Sequence, residues 1–365
     1  MKNHFYAIML ISLALLSCES FQNKKLFAFR KVNVNNVPKL VKIEISKNSS
    51  DEGSDYWNNY FISVLDPKTG KVEKKLKFTV DDARNDKGQL LDINDKYVVL
   101  LNDTYTLIDL QTEKIYRGKD FEKFIEDKNI ATLKNKIGSI NSFSQNFISL
   151  TTKQGNSYVL SLKSLSIYQA NVKEYWQIPD SLNFNYIENS TNLSASNQIH
   201  DPIYLADEER GYSLEKDKIN TSKSFLYEYE IKKMKYKSSK SSEFESITIY
   251  DTLSYSYQAD FSKKKQLSSK PYIYALFSKI ADDKIYIQHR NEVSDNPKYL
   301  FSCFDIKTKN EKFSIELPLF KVKQENAYGI INWQSDKKAF FYSLPGSKEP
   351  IYEFDAADGK LLMKY

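Results

Sequence analysis

The residues able to carry chemistry are few and widely spaced. Histidine occurs at His4, His200 and His289 only. A helical H-E-x-x-H zinc site needs two histidines four apart, and a three-histidine site would have to recruit His4 from a leader, so neither can form. Of the two cysteines, Cys303 lies in the apolar run Tyr299-Leu300-Phe301-Ser302-Cys303-Phe304, where a small core residue is expected. The ten glycines never approach closer than thirteen positions, at Gly346 and Gly359. Phosphate-cradling loops and the nucleophile elbow need glycines within a few residues of each other, because only glycine lets the backbone close around an oxyanion or turn so sharply. Dinucleotide folds, P-loops and α/β-hydrolase elbows are therefore excluded.

Carboxylates are the remaining candidates. Acids cluster at Asp51-Glu52 with Asp55, at Asp81-Asp82, at Glu208-Glu209 and at Asp282-Asp283. Glycoside cleavage uses two carboxylates about 5–10 Å apart across a sugar. Neighbouring acids on a strand or turn point different ways, and all four groups sit in polar contexts, so solvated turns are expected. Asn48 to Gly53 begins like a calcium loop, but its twelfth position is Asn59 where a bidentate Glu is required. No metal site and no cofactor is expected.

The elements that must position any site begin with an apolar stretch from Phe5 to Leu16. It is too short to span a bilayer, which takes about 20 residues, but it suits the apolar region of a secretory signal. It ends in Leu15-Leu16-Ser17-Cys18. This resembles the lipobox of bacterial lipoproteins, which implies cleavage before Cys18 and lipidation of Cys18. The expected organisation is a signal peptide over 1–17, a tether over 18–24 and one domain over 25–365. The Lys, Asn, Ile, Tyr and Ser bias resembles Bacteroidetes-type proteins. That likeness implies anchoring in the cell envelope, with the outer membrane and its periplasmic face favoured. The whole chain carries 53 Lys+Arg against 47 Asp+Glu. The basic cluster of Lys232, Lys233, Lys235, Lys237 and Lys240, with Lys263-Lys264-Lys265, is flanked by Glu228, Glu230, Glu243 and Glu245 and reads as a solvated strand face. No nucleic-acid partner is expected.

Strand-forming residues dominate the remainder. Tyr, Phe and Trp number 26, 22 and 3, while Gly and Pro number only 10 and 9. Large rings pack well on a pleated surface. A unit of strand, polar break, strand ending in an anchor residue, tight turn and strand recurs, with anchors at Asp66, Asp109, Leu162, Asp305 and Asp355. Their spacings are 43, 53, 143 and 50 residues, the long one about three units. Units of this size are propeller blades. The first corner, Asp66-Pro67-Lys68-Thr69-Gly70-Lys71, has a physical logic: the Asp oxygens accept turn N–H groups, and Gly70 supplies positive φ. Gly359 takes the same place after Asp355. This Asp-x-x-Thr-Gly-Lys corner resembles the PQQ-type, quinoprotein-like propeller repeat, which implies architecture. Cofactor binding in that family uses repeated Trp and Gly, whereas this chain has only Trp57, Trp176 and Trp333.

The expected fold is all-β, a β-propeller of about six to eight blades. One short helix is expected over Asp120 to Glu126, and polar breaks over Glu188 to Gln198 and Tyr236 to Ser246. The strands expected at the C-terminus are Ala339 to Tyr342, Ile351 to Phe354 and Leu361 to Tyr365, one short of a blade. A strand from residues 25–46 is expected to pair with them and close the ring. Two functions are consistent with this: a non-catalytic envelope lipoprotein whose propeller binds a partner protein or glycan, or a carboxylate-dependent glycosidase or lyase on the same scaffold.

Overall fold

A computed structural model describes residues 23–49, 56–81, 88–131, 133, 136–142, 147–162, 164–169, 203–206, 209–237, 253–322, 325–334 and 337–365. Cys18, His200, Trp176, the Asp51-Glu52-Asp55 cluster, Asp82, Glu208 and the segment 188–198 lie outside the described residues. The described chain is nearly all strand, with the one helix at Lys119–Lys128.

The strands form antiparallel meanders of four in chain order. Unit one holds Lys25–Val34, Val37–Ser49, Tyr56–Leu65 and Val72–Asp81. Unit two holds Gln89–Ile93, Tyr97–Leu101, Tyr105–Asp109 and Ile115–Arg117. After the helix, unit three holds Ile137–Ser142, Phe147–Thr152, Ser157–Ser161 and Ile167–Gln169. Eight further strands make one continuous sheet. Its first half, unit four, is Tyr204–Leu205, Arg210–Lys216, Lys223–Lys237 and Leu253–Gln266. Its second half, unit five, is Tyr272–Ala281, Lys284–Arg290, Tyr299–Asp305 and Asn310–Glu316. The halves join through Lys223 opposite Ile273 and Ser224 opposite Tyr272. A hairpin of Phe320–Val322 and Glu325–Ala327 leads into unit six: Ile330–Trp333, Ala339–Ser343, Tyr352–Asp355 and Leu361–Lys364.

The middle strands are apolar at nearly every position because both faces of a unit are covered. In unit two, Ile93, Val98, Leu100 and Ile108 pack against unit one. Their alternates Leu91, Tyr97, Val99, Tyr105 and Leu107 pack against the helix and unit three. Side chains alternate across a strand, so adjacent residues serve different seams. Similar clusters join units four and five through Leu226, Ile285 and Ile287, and units five and six through Phe301, Cys303, Phe340 and Phe354. Fourth strands such as Val72–Asp81 and Asn310–Glu316 instead carry exposed Lys and Glu. Charge along an edge blocks further strand addition.

Three expectations change. The helix runs over Lys119–Lys128, past the expected Asp120 to Glu126, because its backbone ladder continues to Asn129, whose N–H meets the Ile125 and Glu126 carbonyls. The break expected at Tyr236 moves outward, since Lys223–Lys237 continues to pair with Leu253–Gln266 as far as Lys237 opposite Leu253. Residues 25–46 do not complete the C-terminal sheet; they form the first two strands of unit one, joined at Asn35-Asn36 with φ of 53° and 63°. Unit six takes its fourth strand from Ile330–Trp333, a run too short and too polar at Asn332 to stand out by alternation. Units one and six nevertheless touch. Leu26 N–H donates to Ser347 C=O at 2.8 Å, Gly346 N–H donates to Leu26 C=O at 2.7 Å, and Leu26, Leu40 and Leu65 pack on Phe341 and Ile351.

Candidate functional site

The repeated corners are built as hydrogen-bonded turns. Asp66 Oδ1 accepts the Lys68 N–H at 2.7 Å, and Gly70 sits at φ 67° with its N–H on the Asp66 carbonyl. The Lys68 N–H holds the Asp66 carboxyl below the usual carboxylate range. Asp109 accepts from Gln111 and Thr112, with Glu113 at φ 62° in the glycine position. Asp305 accepts from Thr308, with Lys309 at φ 56°. Asp355 accepts from Ala357, with Gly359 at φ 76°. A Cβ on Gly359 would come within 2.8 Å of Ile315 and 2.9 Å of Phe313. In unit three the corner residue is Ser161, not Leu162: its backbone bonds Leu165 and Ser166, and Leu162 points into the core. Asp217 in unit four makes a similar turn, accepting from Ile219 and Asn220, but it joins that unit's second and third strands rather than its third and fourth. The link between unit four's third and fourth strands, 238–252, lies outside the described residues. These carboxylates are occupied by backbone and serve the fold.

Of the acid groups only Asp282-Asp283 is described whole, and it too serves the fold. Asp282 and Asp283, at φ 50° and 59°, are the two-residue turn before Lys284. Asp283 pairs with Lys307 at 2.7 Å and Arg210 at 3.8 Å. Cys303 is buried, and burial pushes its thiol up to about 11, so it stays protonated. His289 is also buried, and its Nδ1 lies 3.0 Å from the Arg290 carbonyl. A carbonyl only accepts, so Nδ1 carries the proton and Nε2 accepts from Ser302 Oγ at 2.8 Å. Ser314 Oγ lies 2.8 Å from Ser302. Burial lowers the imidazole pKa and keeps the ring neutral. Ser302 is fully enclosed, so this serine–histidine pair satisfies polar groups in the core. Among the described residues no group of three His, Cys, Asp or Glu could hold a metal ion.

One arrangement that departs from these surrounds Arg290, at the end of unit five's second strand and opposite Ile273 and Tyr299. Its guanidinium carbon lies 4.9 Å from the Tyr274 ring centroid and 5.9 Å from that of Tyr328. Tyr328 stacks on Tyr299 at 3.6 Å, and its hydroxyl donates to Pro297 C=O. Arg290 Nε is buried and has no hydrogen-bond partner. The other described arginines face carboxylates: Arg30 with Asp92, Arg117 with Asp103 and Arg210 with Asp283. Among the described residues no carboxylate lies within ion-pair reach of Arg290.

Tyr274 forms the outer wall. It is 47% exposed and sits at φ 45°, a conformation that bulky residues adopt only under constraint. The ladder is irregular between Ile273 and Leu276, and the Tyr274 N–H bonds Ser222 C=O at 2.7 Å in the neighbouring unit. Strain of this kind, of order 1–3 kcal/mol, concentrates at binding and active sites. Burial raises the Tyr299 phenol pKa, partly offset by Arg290. The result is a half-buried guanidinium, its Nε covered, beside aromatic rings at the seam between units five and six. Its planar fork matches a carboxylate or sulfate in two parallel hydrogen bonds, and the rings offer faces for stacking. Sequence reasoning missed this site. One signal was present: only five arginines occur among the 53 basic residues, and Arg290 stands alone among aromatic strands.

No protein-family model matches the chain, and no curated protein sequence matches it. Solved structures with similarity include Kuenenia stuttgartiensis hydrazine synthase, at 9% identity and TM-score 0.26, over 92% of this chain and 78% of that one. The WD40 β-propeller domain of Doa1 aligns at 11% identity and TM-score 0.25, over 94% and 87% of the two chains. At these scores neither likeness carries a site or an activity to this chain.

Proposed function

We propose that the chain is a lipid-anchored bacterial envelope protein whose single domain, residues 25–365, is a six-bladed β-propeller acting as a non-catalytic binding platform. The six four-stranded units are its blades. Clusters at the one–two, two–three, four–five, five–six and six–one seams support this reading. The anchor rests on the lipobox-like sequence ending at Cys18. A labelled fatty acid should mark the chain and fail to mark Cys18→Ser; equal labelling of both removes the anchor from the account.

The ligand reading rests on one observation: half-buried Arg290, with a buried unpartnered Nε, is flanked by Tyr274 and Tyr328, the latter stacked on Tyr299. An incoming anion would be gripped by the outer guanidinium nitrogens in two parallel charge-assisted hydrogen bonds. Rings that stack on sugar faces beside a group that grips carboxylate suit a glycan containing acidic sugars. Affinity electrophoresis in gels containing polygalacturonate or neutral dextran tests this. The mature chain should be retarded by the acidic polymer alone, and Arg290→Gln should run freely in both. Equal mobility of wild type in both gels contradicts the glycan reading, and an acidic protein captured by wild type but not by Arg290→Gln would reassign the site to a protein partner.

A further inference from the structure

A second feature lies on unit one, on the face turned toward unit six. Leu40 and Leu65 on this face are covered by Phe341 and Ile351. Further along the same face, Lys42 stands opposite Ser63 and Lys75, and Glu44 opposite Phe61 and Lys77. These residues and Lys24 line a groove of about 350 Å³. Lys24 Nζ sits 3.9 Å above the Phe61 ring and Lys77 Nζ 5.5 Å from it. Lys42 pairs with Glu44, the groove's one carboxylate, at 3.1 Å, which leaves Lys24, Lys75 and Lys77 in excess.

We propose that this groove receives the phosphate headgroups of anionic lipid in the membrane that holds the protein, a reading that rests on the anchor at Cys18. Two observations select this occupant. The charge is strongly one-signed around a space large enough for a phosphate. The chain also leaves the groove at Lys24, six residues from Cys18, and an extended chain covers at most ~3.6 Å per residue, about 20 Å in all. Such a tether lets the groove reach the bilayer surface, where anionic headgroups attract lysine within about a Debye length of 10 Å.

The test uses the chain isolated from its native membrane and placed in nanodiscs of phosphatidylcholine alone or with added phosphatidylglycerol. Amine acetylation at Lys42, Lys75 and Lys77 is read by mass spectrometry against Lys270, in the turn between units four and five. Groove labelling should fall several-fold with phosphatidylglycerol while Lys270 stays constant. The triple variant Lys42→Glu, Lys75→Glu, Lys77→Glu should bind anionic vesicles on the order of 10-fold or more weakly than wild type. Equal labelling in both lipids overturns the proposal, and so does equal protection by inorganic phosphate without lipid. Should Cys18 carry no lipid, the chain will not enter discs. The same protein is then mixed with phosphatidylglycerol vesicles, where protection supports the groove without the anchor and its absence overturns both.

Discussion

The seam between the first and last units is held by a buried carboxylate whose partners come from both. Glu353 is 3% exposed; its Oε1 accepts from Lys31 Nζ at 2.8 Å and Gln334 Nε2 at 2.6 Å. Its Oε2 lies 2.5 Å from the hydroxyl of Tyr365, which also lies 2.9 Å from Pro67 C=O in the first corner. Burial first, and then Glu353, drive the Tyr365 phenol well above its usual range, so it remains a donor. Tyr365→Phe keeps the ring beside Phe341 but removes that proton. A hydrogen bond to a charged group contributes about 1.5–3 kcal/mol, so the expected loss is ~2 kcal/mol. With an unfolding entropy of about 2.1 cal/mol/K per residue, a domain of this size should melt ~3 °C lower. Lys31→Met should be worse, about 3 kcal/mol, because it leaves the buried carboxylate without its cation. Adding Glu353→Gln to Lys31→Met should restore much of that loss. Urea unfolding of the mature chain reads all three. If Tyr365→Phe stays within about 0.5 kcal/mol of wild type, the usual range for a neutral surface change, the seam is not held this way.

Three other perturbations follow from the geometry. Gly70→Val should destabilise by roughly 1 kcal/mol or more, since Gly70 sits at φ 67° where a branched side chain is strained; an unchanged unfolding midpoint would refute the corner. Tyr274→Gly should leave stability unchanged or raise it, by relieving φ 45°, while weakening binding of acidic oligosaccharide; a loss of more than about 1 kcal/mol would show that Tyr274 serves folding instead. Because burial lowers the His289 pKa, the unfolded chain takes up its proton first as pH falls. The stability carried by neutral His289 should be complete above pH ~6.5 and decline below it, and His289→Gln should flatten that slope in urea midpoints taken on either side. A wild-type midpoint independent of pH there would contradict it.

Sequence showed the repeat wherever a local turn forced particular residues. Asp66, Asp109, Asp305 and Asp355 are readable because an acid must accept N–H groups two or three residues on. Where a serine replaced the acid at Ser161, the pattern slipped by one residue. The seams were hidden for another reason. Leu40 and Val41 are both apolar and both buried, yet they face different units, and only tertiary structure separates them. Glu353 looks like any strand glutamate until Lys31, Gln334 and Tyr365 converge on it from distant positions. The Arg290 site depends on a left-handed tyrosine, a backbone state that a Tyr-Ile-Tyr sequence does not announce.

The binding reading stands or falls on the strength and charge selectivity of the Arg290 site. Calorimetric titration of the mature chain with oligogalacturonate and with a neutral oligosaccharide of equal length measures both. The account predicts saturable binding of the acidic ligand, weaker by about 10-fold or more in Arg290→Gln because a charge-assisted pair of ~1.5–3 kcal/mol is lost, and little heat from the neutral one. Equal affinity of wild type and Arg290→Gln for the acidic ligand, or equal affinity of wild type for the two ligands, would contradict it.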